Sequence, residues 1–234
     1  MGFEKIIVID FETTGISGDK RAVEIAWFEL NRNLEIVDER SSLINPQIPI
    51  PKRASDVHGI TDRDVRDRPT LDEFMIQMNR NPFIDEKVCV VAHNISFDLP
   101  LFRKYCGGVI ELCTLKLARA IYPDLPNHQL GTISKTFGFT HESAHRARSD
   151  AMQVVHFLTL VQSAHGIEVD GMISLTSRER PSPKPSVRQA TSAKPQPANT
   201  SKLCSSCFLL VNRGSTTCPL DDTSCPLFKE RALS

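Results

Sequence analysis

Two acidic residues at the end of an apolar strand constrain the fold of this chain more than any other feature. The run Ile6–Ile9 is apolar and rich in β-branched residues, which predicts a buried β-strand. Asp10 and Glu12 follow it two positions apart, so on a strand both side chains point to the same face. Buried carboxylates need partners or a cation. The pair therefore predicts an oxygen-ligand site for Mg²⁺ or Mn²⁺, with two solvated acids at a strand end as the alternative.

Two later segments strengthen the metal-site prediction. A second apolar strand, Val88–Ala92, runs into a polar turn, and Asp98 follows at the predicted start of a helix. His145 and Asp150 lie at the beginning of a long amphipathic pattern. Four carboxylates and one histidine are thus candidates for a single site.

These three segments also carry a family resemblance. Residues 10–15 match D-x-E-T-T-G, residues 93–98 match H-N-x-x-F-D, and residues 145–150 match H-x-x-x-x-D. In this order the motifs resemble those of the DEDDh, or DnaQ-like, 3′→5′ exonuclease superfamily. That superfamily includes the proofreading epsilon subunit of bacterial DNA polymerase III.

The order of the predicted elements indicates an α/β fold. Strands are predicted over residues 6–10, 21–31, 34–44, 88–92 and 109–113, and helices over residues 51–57, 70–80, 98–105, 114–121, 127–137 and 143–164. Gly107 and Gly108 are predicted to end the helix before the strand over residues 109–113. Three strands followed by alternating helices and strands predict a mixed five-stranded sheet flanked by helices, close to RNase H-like domains.

Composition divides the chain into three parts. Residues 1–172, the predicted exonuclease domain, carry 19 basic and 24 acidic side chains, whereas residues 173–234 carry 9 basic and 4 acidic ones. Residues 173–202 are predicted to be a disordered linker, because residues 176–202 contain five prolines, five serines and almost nothing large and apolar. This linker is expected to be a solvated tether, with weak nucleic-acid contact as the alternative.

Residues 203–234 form a small cysteine-rich module. Cys204 and Cys207 make a C-x-x-C pair, and Cys218 and Cys225 follow. Four thiolates in such a cluster predict a structural Zn²⁺ site, although the second pair is spaced more widely than is usual. A redox pair and four ordinary thiols are the alternatives.

The resemblance implies a role for each motif residue. Asp10, Glu12 and Asp150 would hold one of two Mg²⁺ (or Mn²⁺) ions, and Asp98 would help to hold the second. His145 would be the general base, in keeping with an imidazole pKa near neutrality. A helix-capping role is the alternative for His145.

Six further residues are predicted to bind substrate. They are Phe11, Thr13, Thr14, His58, Asn94 and Phe97. The backbone around Phe11, Thr13 and Thr14 would receive the 3′-terminal nucleotide, as in relatives of this superfamily, and the rings of Phe11 and Phe97 would stack on bases. The alternative for His58 is a loop histidine that caps backbone groups, and the alternative for both Phe11 and Phe97 is a place in the core.

The resulting functional prediction is a metal-dependent 3′→5′ exonuclease that removes nucleoside 5′-monophosphates from single-stranded 3′ ends of DNA, in proofreading or repair, with a DNA polymerase subunit as partner. Two alternatives stay open: an exoribonuclease that trims RNA 3′ ends, and an adaptor that recruits a polymerase through the cysteine-rich module. The sequence shows no apolar stretch of membrane-spanning length and no signal peptide, so a cytoplasmic protein without membrane contact is expected.

Overall fold

A mixed five-stranded sheet lies at the centre of the structure, a computed structural model that describes residues 2–3, 5–16, 19–77, 83–139 and 145–177. The strands are β1 (Lys5–Thr13), β2 (Ala22–Leu30), β3 (Ile36–Leu43), β4 (Phe83–Ala92) and β5 (Cys106–Cys113). Their order across the sheet is β3-β2-β1-β4-β5. β1 pairs antiparallel with β2 and parallel with β4. This arrangement confirms the predicted α/β fold with an RNase H-like mixed sheet.

Helices cover both faces of the sheet. The described helices are α1 (Lys52–His58), α2 (Asp62–Val65), α3 (Leu71–Gln77), α4 (Ile95–Phe102), α5 (Thr114–Ile121), α6 (Leu130–Phe137), α7 (Ala147–His165) and α8 (Val169–Ser177), with a 3₁₀ turn at Arg103–Tyr105. α7 packs across β1 and β2, whereas α4 packs against β4. The N-terminal turns of α4 and α7 therefore approach the central strand from opposite faces.

The side chains of β1 alternate between two hydrophobic cores. Ile6 and Val8 belong to the core formed with α5, α6, α7 and α8. Ile7 and Ile9 belong to the core formed with α3 and α4. Because side chains two apart on a strand share a face, Asp10 and Glu12 lie on the α7 side of the sheet.

Two predicted strand limits are wrong. β4 begins at Phe83 rather than at residue 88, and β5 begins at Cys106, so the glycine pair lies inside a strand. The β4–β5 register shifts between Phe83 and Lys87, and Lys87 pairs with Gly108. A Cβ atom at Gly108 would lie 3.5 Å from the Lys87 side chain. The glycines thus accompany an irregularity in the pairing and do not end the strand.

Two predicted helix starts also differ from the structure. α4 begins at Ile95, three residues before the predicted start at residue 98. Asn94, which precedes the helix, takes a left-handed backbone conformation with φ of 69°. α6 begins at Leu130 rather than at residue 127, since Oδ1 of Asn127 accepts a hydrogen bond of 3.0 Å from the backbone N–H of Gln129. Such an Asx turn competes with helix.

The N-terminus of α7 also lies later than predicted. Residues 143 and 144 lie outside the described part of the chain, and His145 and Arg146 are not helical. The helix begins at Ala147, whose backbone N–H donates to the Glu24 carboxylate on β2 over 3.0 Å. A side chain from the sheet therefore caps this helix.

The last described helix crosses the boundary predicted at residue 172. α8 runs through Ser177, and its residues Met172, Ile173 and Thr176 are buried. The first five residues of the predicted linker are therefore helical. The rest of the linker and the module with Cys204, Cys207, Cys218 and Cys225 lie outside the described residues, so the linker and the zinc site stay predictions.

Candidate active site

Three predicted metal ligands converge at the carboxyl end of β1. Asp10 and Glu12 extend from the strand, and Asp150 lies in the first turn of α7. One carboxylate oxygen from each can be chosen so that all three lie within 4.8 Å of one another. Three oxygen ligands at this spacing can surround one small divalent cation, for which carboxylates are preferred ligands.

Asp98 approaches the same strand end from the opposite layer. It lies in the first turn of α4 and is 2% exposed. Its Oδ1 accepts a hydrogen bond of 3.2 Å from the backbone N–H of Phe11, which lies between Asp10 and Glu12. Asp98 therefore lies next to the acidic cluster of Asp10, Glu12 and Asp150, but it is not one of the three carboxylates that lie within 4.8 Å of one another.

The crowding of these acids changes their protonation. Burial and the negative charges of Asp98 and Asp150 raise the pKa of Asp10 well above its usual range. Burial, followed by the charge of Asp150, raises the pKa of Glu12 to about 7. Burial raises the pKa of Asp98 to about 8, although the hydrogen bond from Phe11 opposes this effect. A site that holds its carboxylates against this repulsion is short of positive charge, as expected where a cation binds.

Two consecutive hydrogen bonds between side chains hold Asp150, and neither was predicted from the sequence. Nε2 of Gln153 donates a hydrogen bond of 2.9 Å to Oδ1 of Asp150. Oε1 of Gln153 in turn accepts a hydrogen bond from the hydroxyl of Ser134 on α6. Both Gln153 and Ser134 are buried, so the orientation of Asp150 is linked to the packing of α6 against α7.

His145 lies immediately before α7 and is exposed. Its backbone takes the left-handed conformation with φ of 59°, which is uncommon for residues other than glycine. The next residue, Arg146, forms an ion pair with Glu24 on β2 at 2.6 Å. Sequence reasoning missed Glu24 and Arg146, although Arg146 lies within the third motif.

A cavity of about 240 Å³ opens beside the acidic cluster. Four of the predicted substrate-binding residues line it: Phe11, Thr13, His58 and Phe97, together with the candidate ligand Glu12. Its other lining residues are Gly15, Ile16, Arg53, Ala54 and Val57. The wall is mainly apolar, as is typical of pockets that bind small molecules.

The structure does not place Thr14 or Asn94 on the wall of this cavity. Thr14 is buried, and its hydroxyl accepts a hydrogen bond of 3.1 Å from the backbone N–H of Arg21. Asn94 is exposed, and its left-handed conformation starts α4. Both residues therefore have structural contacts, and their roles in substrate binding stay predictions.

His58 combines both of the roles that the sequence left open. Its Nδ1 accepts a hydrogen bond of 3.1 Å from the backbone N–H of Ile60, so the ring caps the loop after α1. The ring is buried and also faces the cavity. Burial lowers the pKa of His58, which favours the neutral ring.

Lys20 is a further residue that sequence reasoning missed. Its Nζ donates a hydrogen bond of 2.6 Å to the backbone carbonyl of Phe97 and lies 3.3 Å from the centroid of the Phe97 ring. The ammonium also opposes the rise in the pKa of Asp98. No local pattern singles out Lys20, because its contacts are 77 positions away.

The described helices include none that is long and apolar enough to cross a membrane.

A known protein family matches most of the part of the chain that the structure describes. The model of the exonuclease family RNase_T matches residues 7–158, a range that contains the acidic cluster and His145. DNA polymerase III subunit epsilon of Aquifex aeolicus is 31% identical over 153 residues, which are 62% of this chain and 74% of that protein. The PolC-type DNA polymerase III of Clostridium perfringens is 33% identical over 162 residues, which are 66% of this chain but 11% of that polymerase. The chain thus spans only a small part of the PolC-type relatives that it matches.

Solved structures of exonucleases share the fold. Exonuclease X in complex with 5′ overhanging duplex DNA is 28% identical, with a TM-score of 0.59 over 74% of this chain and 99% of that chain. Exonuclease I of E. coli in complex with a dA16 oligonucleotide is 18% identical, with a TM-score of 0.61 over 73% of this chain and 42% of that chain, which shows a common fold. The chain belongs to the RNase_T exonuclease family of the DnaQ-like superfamily.

Proposed function

We propose that the protein is a metal-dependent 3′→5′ exonuclease that removes nucleoside 5′-monophosphates from single-stranded 3′ ends of DNA. The observation that supports this most is the convergence of Asp10, Glu12 and Asp150 within 4.8 Å, next to a cavity that Glu12 also lines. Membership of an exonuclease family supports phosphodiester hydrolysis. Similarity to a DNA polymerase III subunit supports DNA as the substrate.

The acidic cluster fits Mg²⁺ or Mn²⁺. Its candidate donors are carboxylate oxygens, which these ions prefer. The raised pKa values of Asp10 and Glu12 reflect a local deficit of positive charge. Asp10, Glu12 and Asp150 would hold one ion, and Asp98 would help to hold a second. When bound, such ions supply positive charge that activates water and stabilises the charge that develops on the phosphate.

The side chains of the protein orient the reacting groups and move the proton. His145, which is exposed beside the first turn of α7, accepts the proton of the attacking water at a ring nitrogen. The water oxygen bonds to the phosphorus of the terminal nucleotide, and the bond to the 3′ oxygen of the preceding nucleotide breaks. That oxygen takes up a proton. The products are a nucleoside 5′-monophosphate and a strand that is one nucleotide shorter.

The cavity receives the terminal nucleoside. Phe11 and Phe97 contribute aromatic surface, and Ile16 and Val57 are largely exposed on its wall. An apolar wall binds any base through its face, so we expect little sequence specificity. Arg53 adds a positive charge that suits a phosphate.

The relatives also suggest a biological setting. Since DNA polymerase III proteins are among them, we propose that the enzyme acts in proofreading or repair and that a DNA polymerase is its partner.

Degradation of end-labelled oligonucleotides tests the proposal. Single-stranded DNA labelled at the 5′ end should give a ladder of shortening products with Mg²⁺, and DNA labelled at the 3′ end should release labelled mononucleotide at once. Asp150→Asn is the control and should abolish both. Faster degradation of the matching RNA would support the exoribonuclease alternative. Loss of label from the 5′ end first, or activity that persists in Asp150→Asn, would contradict the proposal.

A further inference from the structure

Glu24 is a buried acid for which the proposed reaction has no use. It lies on β2 and is 5% exposed. Its carboxylate accepts hydrogen bonds of 3.1 and 3.0 Å from Nε of Arg146 and one of 2.6 Å from Nη2. It also accepts the bond from the backbone N–H of Ala147. Four hydrogen bonds therefore connect one strand residue to two consecutive residues that are more than 120 positions away.

The Glu24 end of this ion pair lies in a fully buried strand. Every residue of β2 is buried, and Glu24 lies opposite Glu12 in the β1–β2 register. A buried carboxylate is stable only with its partner in place, and a planar guanidinium that donates two N–H groups fixes both distance and direction. The position of Arg146 is therefore set by the same strand pair that carries Glu12.

The other end of the ion pair adjoins His145. His145 is exposed, and its ring makes no hydrogen bond with the described residues, so hydrogen bonds of the ring do not fix its position. Its backbone is left-handed, whereas the backbone of Arg146 is extended with φ of −134°. Because one peptide bond joins the two residues, an anchor on Arg146 limits where the His145 ring can reach.

We propose that Glu24 and Arg146 form a clamp that positions His145 for proton transfer. The inference rests on the proposed function, in which His145 is the general base. The clamp acts through the backbone of residue 146, and neither Glu24 nor Arg146 exchanges a proton with the substrate. A purely structural role, in which Glu24 only caps α7, is the competing explanation.

Arg146→Lys separates these two explanations. Lysine keeps the positive charge next to Glu24 but loses the rigid fork, while the bond from Ala147 to Glu24 is retained. Arg148→Lys is a matched control, since Arg148 lies two residues after Arg146, in the first turn of α7, and pairs with Glu39 on β3 at 3.1 Å. The charge-matched double variant Glu24→Gln/Arg146→Gln provides a second test if Arg146→Lys does not fold, because it leaves no buried charge unpaired.

The decisive measurement is a double-mutant cycle with His145→Ala, using 5′-labelled single-stranded DNA and saturating Mg²⁺. Arg146→Lys should lower kcat about tenfold and leave KM within about twofold, because displacement of a catalytic group costs rate more than binding. In the His145→Ala background the same change should have almost no further effect. The affinity for Mn²⁺, measured without substrate, should match that of Arg148→Lys.

Each outcome bears on a different claim. Full activity of His145→Ala would overturn the general-base role in the proposed function. A strong loss in His145→Ala with no loss in Arg146→Lys would overturn the clamp alone. Equal losses from Arg146→Lys in both backgrounds, or a parallel loss of Mn²⁺ affinity, would show that the ion pair is purely structural. For the Gln/Gln double variant the same comparisons apply.

Discussion

The backbone N–H of Phe11 donates a hydrogen bond of 3.2 Å to Oδ1 of Asp98 and so joins the central strand to the first turn of α4. Phe11 itself lies between two candidate metal ligands on β1. The bond uses one carboxylate oxygen of Asp98 for structure and leaves the other for the acidic cluster. Asp98 is thus both a fold contact and a candidate catalytic group.

These two functions of Asp98 can be separated by substitution. Asp98→Asn keeps an oxygen that accepts from Phe11 but removes the charge, so we expect near-normal stability and at least an approximately 100-fold loss of kcat. Asp98→Ala should lose the same activity and a further ~1 kcal/mol of unfolding free energy, because the Phe11 N–H is left without its acceptor. Urea unfolding and oligonucleotide degradation would measure both. Equal stability of the two variants would contradict the structural function.

The crowded acids predict an unusual dependence of stability on pH in the absence of added metal. The folded pKa of Glu12 is raised to about 7, above its unfolded value, so its contribution to stability is fully present near pH 4 and is lost as pH rises through 7. Asp98, raised to about 8, acts in the same direction. We expect the free energy of unfolding to fall by about 2 kcal/mol or more between pH 5 and 8, since one unit of pKa shift is worth about 1.4 kcal/mol.

Urea unfolding in chelator at several pH values would measure this decline. Glu12→Gln is the control. Chelator and pH affect the cysteine-rich module equally in both proteins, but the glutamine at position 12 of the variant cannot ionise. The variant should show a shallower decline than the wild type. A wild-type stability that is constant or rises between pH 5 and 8 would rule out the electrostatic account, and added Mg²⁺ should stabilise the protein most at the higher pH.

The hydrogen bonds that connect Ser134, Gln153 and Asp150 predict that loss of Gln153 weakens metal binding. Gln153→Leu removes the hydrogen bond to Asp150 and should weaken Mn²⁺ binding by about 10- to 100-fold, as is usual when a residue that orients a metal ligand is lost. Calorimetric titration would measure the affinity. Gln162→Leu is the matched control, since Gln162 lies on the same helix and contacts Glu168 away from the acids. Unchanged affinity in folded Gln153→Leu would show that Asp150 does not depend on this contact.

The cavity wall predicts a substrate-binding defect that depends on salt. Arg53→Gln removes a positive charge from the wall and should raise KM several-fold at low salt, with a smaller dependence of KM on ionic strength. Arg66→Gln, on an exposed residue that does not line this cavity, should behave as the wild type. Steady-state kinetics at several salt concentrations would measure both. An unchanged salt dependence in Arg53→Gln would place the nucleic acid elsewhere.

The convergence of Asp10, Glu12 and Asp150 agrees with the sequence prediction, which rested on a local pattern and on a family resemblance. A period of two places Asp10 and Glu12 on one face, and Asp98 and Asp150 were added from two later segments that resemble family motifs. Glu24, Lys20 and Arg146 escaped notice because their partners are set by tertiary structure, with separations from 77 to more than 120 positions. Gln153 did have a local signal, since it lies one helical turn after Asp150, where side chains on a helix meet.

The errors in element limits have a similar origin. Gly107 and Gly108 were predicted to separate a helix from a strand, yet pairing with β4 makes them part of β5. The start of α7 depends on a carboxylate from β2, which no inspection of residues 143–147 reveals. Residues 173–177 of α8 were assigned to the linker because their few apolar side chains are buried by contacts with helix α5 and strand β5, which no local pattern reveals.

The alternation of β1 between two cores has a consequence for how this chain tolerates insertions and deletions. Odd-numbered side chains of the strand face α4, and even-numbered ones face α7. Losing one residue before Asp10 would exchange these sets and aim both carboxylates at the apolar layer under α4, whereas losing two would shorten the strand and keep their direction. Whether the site survives thus depends on the parity of the change as well as on its size.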